Sequence, residues 1–334
     1  MMIKDSSHLR SRLQQSGYSD LAIAAVWPGW WSDEAEGSES AQVELRFSVA
    51  RKLGLDPRSL LEDDEPVFVW KGEAKFKHLS SETEAELGAI GAYGLSIGRA
   101  LIAATEKTLS FEGAGAREIR TKILEKKAFV GLPELLALCW GFGIPVIHLR
   151  VFPLNAKRMC AMSMRIGNRF AILLGKDANY PAPIAFYLAH ELGHIALGNI
   201  PDGTAIVDLS DLLITKVGGD EEEHAADHFA LELLTGEKEP KILTRAKRFT
   251  AGQLASNLLQ TGPQVHIEPG TLALCFGYST GNWVKANAAM KLIYTQAFPV
   301  WQEINRLAHS QLNWDAIPDD FNSFLRVVIG ELKA

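Results

Sequence analysis

Along most of this chain apolar residues return at helical spacing, and only one central stretch reads as strand. Residues 1–78 carry a helical pattern broken by WPGWWSDEAEGSES, an aromatic cluster running into an acidic, serine-rich turn. In the segment VELRFSVARKLGLDPRSLLEDDE, Val43, Phe47, Ala50 and Leu53 recur at intervals of three and four, which predicts a helix with those residues inward. Gly54 ends it, and Asp56-Pro57 supplies an N-cap and first-position proline for another helical turn. From residue 79, LSSETEAELGAIGAYGLSIGRALIAAT begins with a capping box, Ser81 three before Glu84. It predicts a long helix offering Leu87, Ile90, Leu95, Ile97 and Leu101 for burial. GAGAREIRTKILEKK and LPELLALCWGF read as two more helices, and Gly143 separates them from IPVIHLRV, a buried strand rich in β-branched residues. CAMSMRIGNRFAILLG reads as a hairpin turning at Gly167-Asn168. Two helices then follow: one started by Pro181 and Pro183, and one whose acidic beginning, DEEEHAADHFALELLTG, suits the helix dipole and ends at Gly236. Residues 241–334 are helical in pattern. The pattern therefore predicts a mostly helical α+β chain in three regions, 1–78, 79–240 and 241–334.

Composition narrows the class. The 334 residues are 47% hydrophobic and 22% charged, values of a globular protein with an ordinary core. No stretch approaches the length of a transmembrane helix, and the opening MMIKDSSHLRSRLQQSG has no apolar signal-peptide core, so no membrane partner is expected. Three scattered cysteines, Cys139, Cys160 and Cys275, are too few for a disulfide framework and fit a reducing, cytoplasmic compartment. The net charge of −6 argues against a chain that coats nucleic acid. Residues 1–80 hold ten Lys/Arg against thirteen Asp/Glu, the wrong balance for binding phosphates. Residues 241–334 are mildly basic, nine against six, with Lys241, Arg245, Lys247 and Arg248 grouped at the start; a weak nucleic-acid contact is the most this permits, and a solvated linker accounts for it equally well.

The chemistry concentrates in YLAHELGHIALGN. On a helix His190 and His194 are separated by only about 40° around the axis, so both imidazoles leave one face and can take two corners of a zinc tetrahedron. Glu191 flanks them as a general base toward an attacking water. HExxH arises by chance in on the order of 1% of chains this long, so a third ligand has to decide the reading. EHAAD supplies one: Glu223 and Asp227 share a helical face, Glu223 completing a His-His-Glu set and Asp227 accepting the other N–H of a ligand histidine. Ala225, Ala226 and Ala230 are small enough to let the two helices pack closely. Within Glu221-Glu222-Glu223 the register favours Glu223, with Glu222 as the fallback. His224 and His228 are turned about 100° from Glu223 and are expected at the surface. Tyr187, one turn before His190, is expected to pack rather than face the cleft.

YLAHELGHIAL followed about thirty residues later by EEHAADHFALELLTG resembles the ImmA/IrrE family of cytoplasmic metallopeptidases, which are gluzincins. His190, Glu191, His194, Glu223, Asp227, Phe229 and Ala230 carry the likeness, which spans roughly residues 110–240. It implies a zincin-like core, a small mixed sheet packed on the HExxH helix, and a Zn2+-dependent endopeptidase. The substrate it implies is a regulatory protein, a helix-turn-helix repressor or an antitoxin, in stress response, phage defence or mobile-element control. It also places the hairpin along the active-site cleft, where a Cys160 thiolate could hold the metal inactive, against the plainer role of a small buried hydrophobe. VARKLGLDPRSLLEDD looks like the last helices of a repressor-type helix-turn-helix domain, degenerate here given its acidic balance. The alternative function is a zinc-containing binding module or antirepressor that sequesters such a partner without cutting it.

Overall fold

The computed structural model describes residues 5–62, 64–69, 74–77, 83–106, 109–155, 159–209, 221–242 and 248–331. Five short strands form one mixed sheet: β1 (Ala74–Lys77), β2 (Val146–His148), β3 (Ala161–Ile166), β4 (Arg169–Leu174) and β5 (Ala205–Asp208), in the order β1-β5-β3-β4-β2. β3 runs antiparallel to both neighbours, and the outer pairs β1–β5 and β2–β4 are parallel. The hairpin is as expected, with Ile166 opposite Arg169 across Gly167-Asn168. β1 and β5 went unread in the sequence because four residues such as AIVD give periodicity too little length to register.

Side chains leave the sheet alternately, so each face builds its own core. Met162, Met164, Leu173 and Val207 join a cluster with the helix Glu84–Ala103, the helices of residues 6–61 and the last helix, Asp319–Val328. Ala161, Ile172, Leu174 and Ile206 join a second cluster with the helices Leu132–Gly141, Pro181–Ala196 and Glu221–Thr235. The helices Ala251–Val265, Pro269–Thr280 and Trp283–Ile293 build a third cluster, which Ala182 of the HELGH helix joins. Apolar contacts thus run across residues 78 and 240: Phe324 and Val328 share a core with Leu9 and Leu45, while Val300 and Ile304 share one with Leu188.

Two expectations need correction. The helix Glu39–Leu53 is turned in part from the reading: Ala50 and Leu53 are buried as expected, but Phe47 is 45% exposed, and the buried face takes in Gln42, Leu45, Arg46, Val49 and Lys52. Specific partners make polar burial tolerable there. Lys52, 1% exposed, donates to the Val26 carbonyl and to Asp320, while the Arg46 guanidinium donates to the Leu60 and Gln42 carbonyls. The capping box of the long helix lies two residues later than expected. Thr83 accepts from the Glu86 N–H at 3.2 Å, and the Glu86 carboxylate accepts from the Thr83 N–H at 2.8 Å; Ser81 lies outside the described residues. Four glycines inside that helix are explained by approach distance: at Gly98, a Cβ would sit 1.7 Å from Met164 Sδ on the sheet. Of the basic cluster opening the tail, Lys241 and Arg248 are exposed, and Arg245 and Lys247 lie outside the described residues. Among the described residues, no helix is long and apolar enough to cross a membrane.

Candidate metal centre

The HELGH helix starts at Pro181, where the missing N–H costs nothing, and lies in the second core through Ile184, Leu188, Leu192 and Ile195. The acidic helix Glu221–Thr235 packs directly on it. Their closest approach is at Gly193, where a Cβ would meet the backbone Cα and carbonyl oxygen of Ala226, both at 3.0 Å. Ala226 and Ala230 are fully buried, as the small-residue pattern required. This contact sets the height of Glu223, three residues before Ala226, against His190 and His194. Gly193→Ala is accordingly expected to destabilise the fold by about 1–3 kcal/mol by overpacking against backbone. It should weaken metal binding at the same time, and urea unfolding beside a zinc titration measures both; wild-type values for both would break the link between this contact and the site.

His190, His194 and Glu223 converge as a buried group able to hold a metal ion. The two Nε2 atoms lie 3.0 Å apart, and Glu223 reaches 3.5 Å from each, Oε2 to His190 and Oε1 to His194. Ligands held about 2.0–2.1 Å from a tetrahedral ion stand about 3.3 Å from one another, a spacing the two imidazole nitrogens approach and each Glu223 oxygen has to one of them. The opposite nitrogens are held from outside. His190 Nδ1 is 2.9 Å from Asp227 Oδ1, the hydrogen bond that leaves Nε2 free as a donor to metal. The Asn199 side-chain Nδ2 lies 3.3 Å from His194 Nδ1; turning that amide over would bring its oxygen to the ring, where it would accept the Nδ1 proton that a metal on Nε2 requires. Glu222 turns outward to Lys75 at 3.5 Å, which settles the register in favour of Glu223.

Glu191 is fully buried, and among the described residues neither of its carboxylate oxygens has a hydrogen-bond partner of ordinary geometry. A buried carboxylate left in that state is costly unless a cation and water belong beside it. Burial, and next the charge of Asp208, push its pKa well above the usual carboxylate value, while His190 and Ser163 act in the opposite direction. Asp208 is itself fully buried at the end of β5, with Oδ2 3.7 Å from His190 Nε2. Asp208, Ser163 and Asn199 escaped the sequence reading. The signal for the first was an apolar AIV run closing on an acid, recognisable once a strand is placed there. Ser163 lies one diagonal position away on β3, where Ala161 is opposite Asp208.

For His190, burial disfavours the charged form, but Asp227, Glu223 and Asp208 outweigh it and hold the pKa well above the usual histidine value. That direction favours a proton on His190 in the metal-free protein, which a metal ion on Nε2 would have to displace. The sign follows: affinity is full above the raised pKa and falls with falling pH, about tenfold per unit for one proton. Zinc affinity measured by chelator competition at several pH values is expected to show that slope, and a flat profile would rule out a protonated His190.

Cys160 is buried at the start of β3, with its N–H donated to the Asp208 carbonyl at 2.7 Å, and it is not a member of the metal-capable group. Tyr187 is buried in the core, as expected. His224 is exposed and His228 half-buried, and both border, with Asp227, a cavity beside the acidic helix. Compared with protein-family models, with curated proteins and with solved structures, the chain matches none.

Proposed function

We propose that this chain is a zinc-dependent endopeptidase acting on a regulatory protein, a helix-turn-helix repressor or an antitoxin. The observation that carries the reading is a metal-capable His190–His194–Glu223 group with the carboxylate of Glu191 fully buried beside it, bordered by Ser163 and Asp208. The resemblance to the ImmA/IrrE family supports the substrate class. A mixed sheet packed against the HExxH helix is the arrangement a zincin-like core requires.

Held by His190, His194 and Glu223, zinc would supply Lewis-acid activation of a water. The chain's own residues do the rest. Asp227 and Asn199 orient the two imidazoles, and Glu191 takes the proton of the attacking water and passes it to the leaving amine. Asp208 and Ser163 border the Glu191 carboxyl and hold it in place. Burial of Arg46 and Lys52 takes two cations away from the surface of the first region, which favours a protein rather than a nucleic-acid partner.

The complete burial of Glu191 favours a second reading, a metal-stabilised module that sequesters its partner without cleaving it, since a substrate must displace whatever covers the site. One experiment separates the two. Zinc-loaded protein is incubated with a panel of helix-turn-helix repressors and antitoxins, and fragments are followed by mass spectrometry. Chelator-sensitive fragments are expected; a stable complex with an intact partner would favour sequestration.

A further inference from the structure

A cavity of about 530 Å³ lies between the acidic helix and the helix Pro269–Thr280. Its walls are two facing helical stripes. His224, Asp227, His228, Leu231 and Leu234 line one side, and Thr271, Leu274, Cys275 and Tyr278 the other. Phe186 of the HELGH helix contributes as well, its ring 6.4 Å from that of His190. The volume is that of a small-molecule pocket.

The metal-facing atoms of the site do not line this cavity: Glu191, His194, Glu223 and Asp208 are absent from its walls. Only Asp227 belongs to both. Its carboxylate opens on the cavity and accepts the His190 Nδ1 hydrogen bond, so the cavity lies behind the imidazole, on the side away from Nε2. An occupant therefore touches the support of a ligand histidine without touching the reacting atoms.

The lining also specifies chemistry. Leu231, Leu234, Leu274 and Phe186 give it an apolar body, and burial pushes the Cys275 thiol up to about 12, so that wall stays neutral. At the rim, Glu239 stands 3.7 Å from His228, a contact that is an ion pair only when that imidazole carries a proton, so one carboxylate shares the mouth; Asp227 is engaged by His190. Lys238 and Lys241 remain, and among the described residues neither is paired with a carboxylate. An apolar chamber with two uncommitted ammonium groups at its mouth is complementary to an anion with an apolar tail.

We propose that this cavity binds a small amphipathic anion and that its occupant tunes the metal centre through Asp227. The sign follows from charge. An anion held behind His190 favours the dication on the other side and polarises the Asp227–His190 hydrogen bond toward a more basic ligand. Ligand and zinc should each tighten the other by the same factor, because the coupling is reciprocal.

The probe is anilinonaphthalenesulfonate, a fluorescent apolar anion, titrated into the full chain with and without zinc. Saturable binding is expected in both states, about tenfold tighter with zinc, and zinc about tenfold tighter with dye. Lys238→Glu/Lys241→Glu changes only exposed side chains and should weaken the dye at least about tenfold, its fold checked by circular dichroism. Decanoate and decyl phosphate, as competitors, separate a carboxylate from a phosphate ligand. Dye binding that ignores the lysine changes, or displacement by a neutral dipeptide amide and not by decanoate, overturns the anion site. Equal zinc affinity with and without dye overturns the coupling. A chain that binds dye through the lysines but takes up no zinc defeats the peptidase reading and the coupling, and leaves the anion site standing.

Discussion

Glu191→Gln is expected to lower peptide hydrolysis on the order of a thousandfold while leaving zinc bound. Glutamine matches glutamate in volume, so a fully buried site that packs around one packs around the other. What it cannot do is accept the proton of the attacking water. Because the lost interaction belongs to the transition state, the fall should appear in kcat and leave KM close to wild type. The same substitution has a second readout without substrate. In the metal-free protein the raised pKa of Glu191 means the folded state holds a proton that the unfolded state releases. Its contribution is full below the ordinary carboxylate value and is lost as pH rises through the raised one. Metal-free Glu191→Gln should therefore be more stable than metal-free wild type at neutral pH, the gap closing in acid, and urea unfolding at two pH values tests it. Wild-type hydrolysis by the variant would remove Glu191 from the chemistry and the peptidase proposal with it.

How far the site could be read from sequence depended on whether its residues share an element. His190, Glu191 and His194 lie within one turn and a half of a helix, so spacing alone puts the two imidazoles on one face and Glu191 beside it. Glu223 and Asp227 sit on a second helix, yet the four-residue offset repeats there, and Ala226 and Ala230 announced the close packing that brings the helices together. Asp208 and Ser163 could not be reached this way. Their position beside Glu191 comes from β5 pairing with β3, a long-range register that a four-residue strand does not reveal. The same limit explains Phe47. Its helix buries Arg46 and Lys52 because Leu60, Val26 and Asp320 happen to receive them, and those partners are tertiary facts. The cavity is a further case: its opposing wall comes from helix Pro269–Thr280, beyond the range of any local pattern, although His228 at its rim still reaches the surface as expected.

Glu223→Ala is expected to weaken zinc binding by more than about a hundredfold, and Asp227→Asn by about ten- to a hundredfold. The order matters as much as the size. Glu223 supplies the third ligand, with Oε2 3.5 Å from His190 Nε2 and Oε1 3.5 Å from His194 Nε2, and nothing else in the metal-capable group replaces it. Asp227 touches only Nδ1 of His190; losing its charge loosens the imidazole without removing a donor. Metal content of the purified chains by mass spectrometry, with chelator competition for affinity, ranks the two. Glu223→Gln keeps the side-chain volume and separates loss of the ligand from loss of the helix contact. If zinc stayed at full occupancy in Glu223→Ala, the donor set would have to draw on Asp208, whose Oδ2 is already 3.7 Å from His190 Nε2. Glu222 would first have to leave Lys75, and Cys160 the core wall at the start of β3. Asp208→Asn in the same background would then decide, since only an Asp208-ligated ion should be lost with it. If neither wild type nor variant takes up zinc when it is supplied, the convergence of His190, His194 and Glu223 is a buried hydrogen-bonded cluster, and the buried Glu191 becomes a stability defect rather than a base.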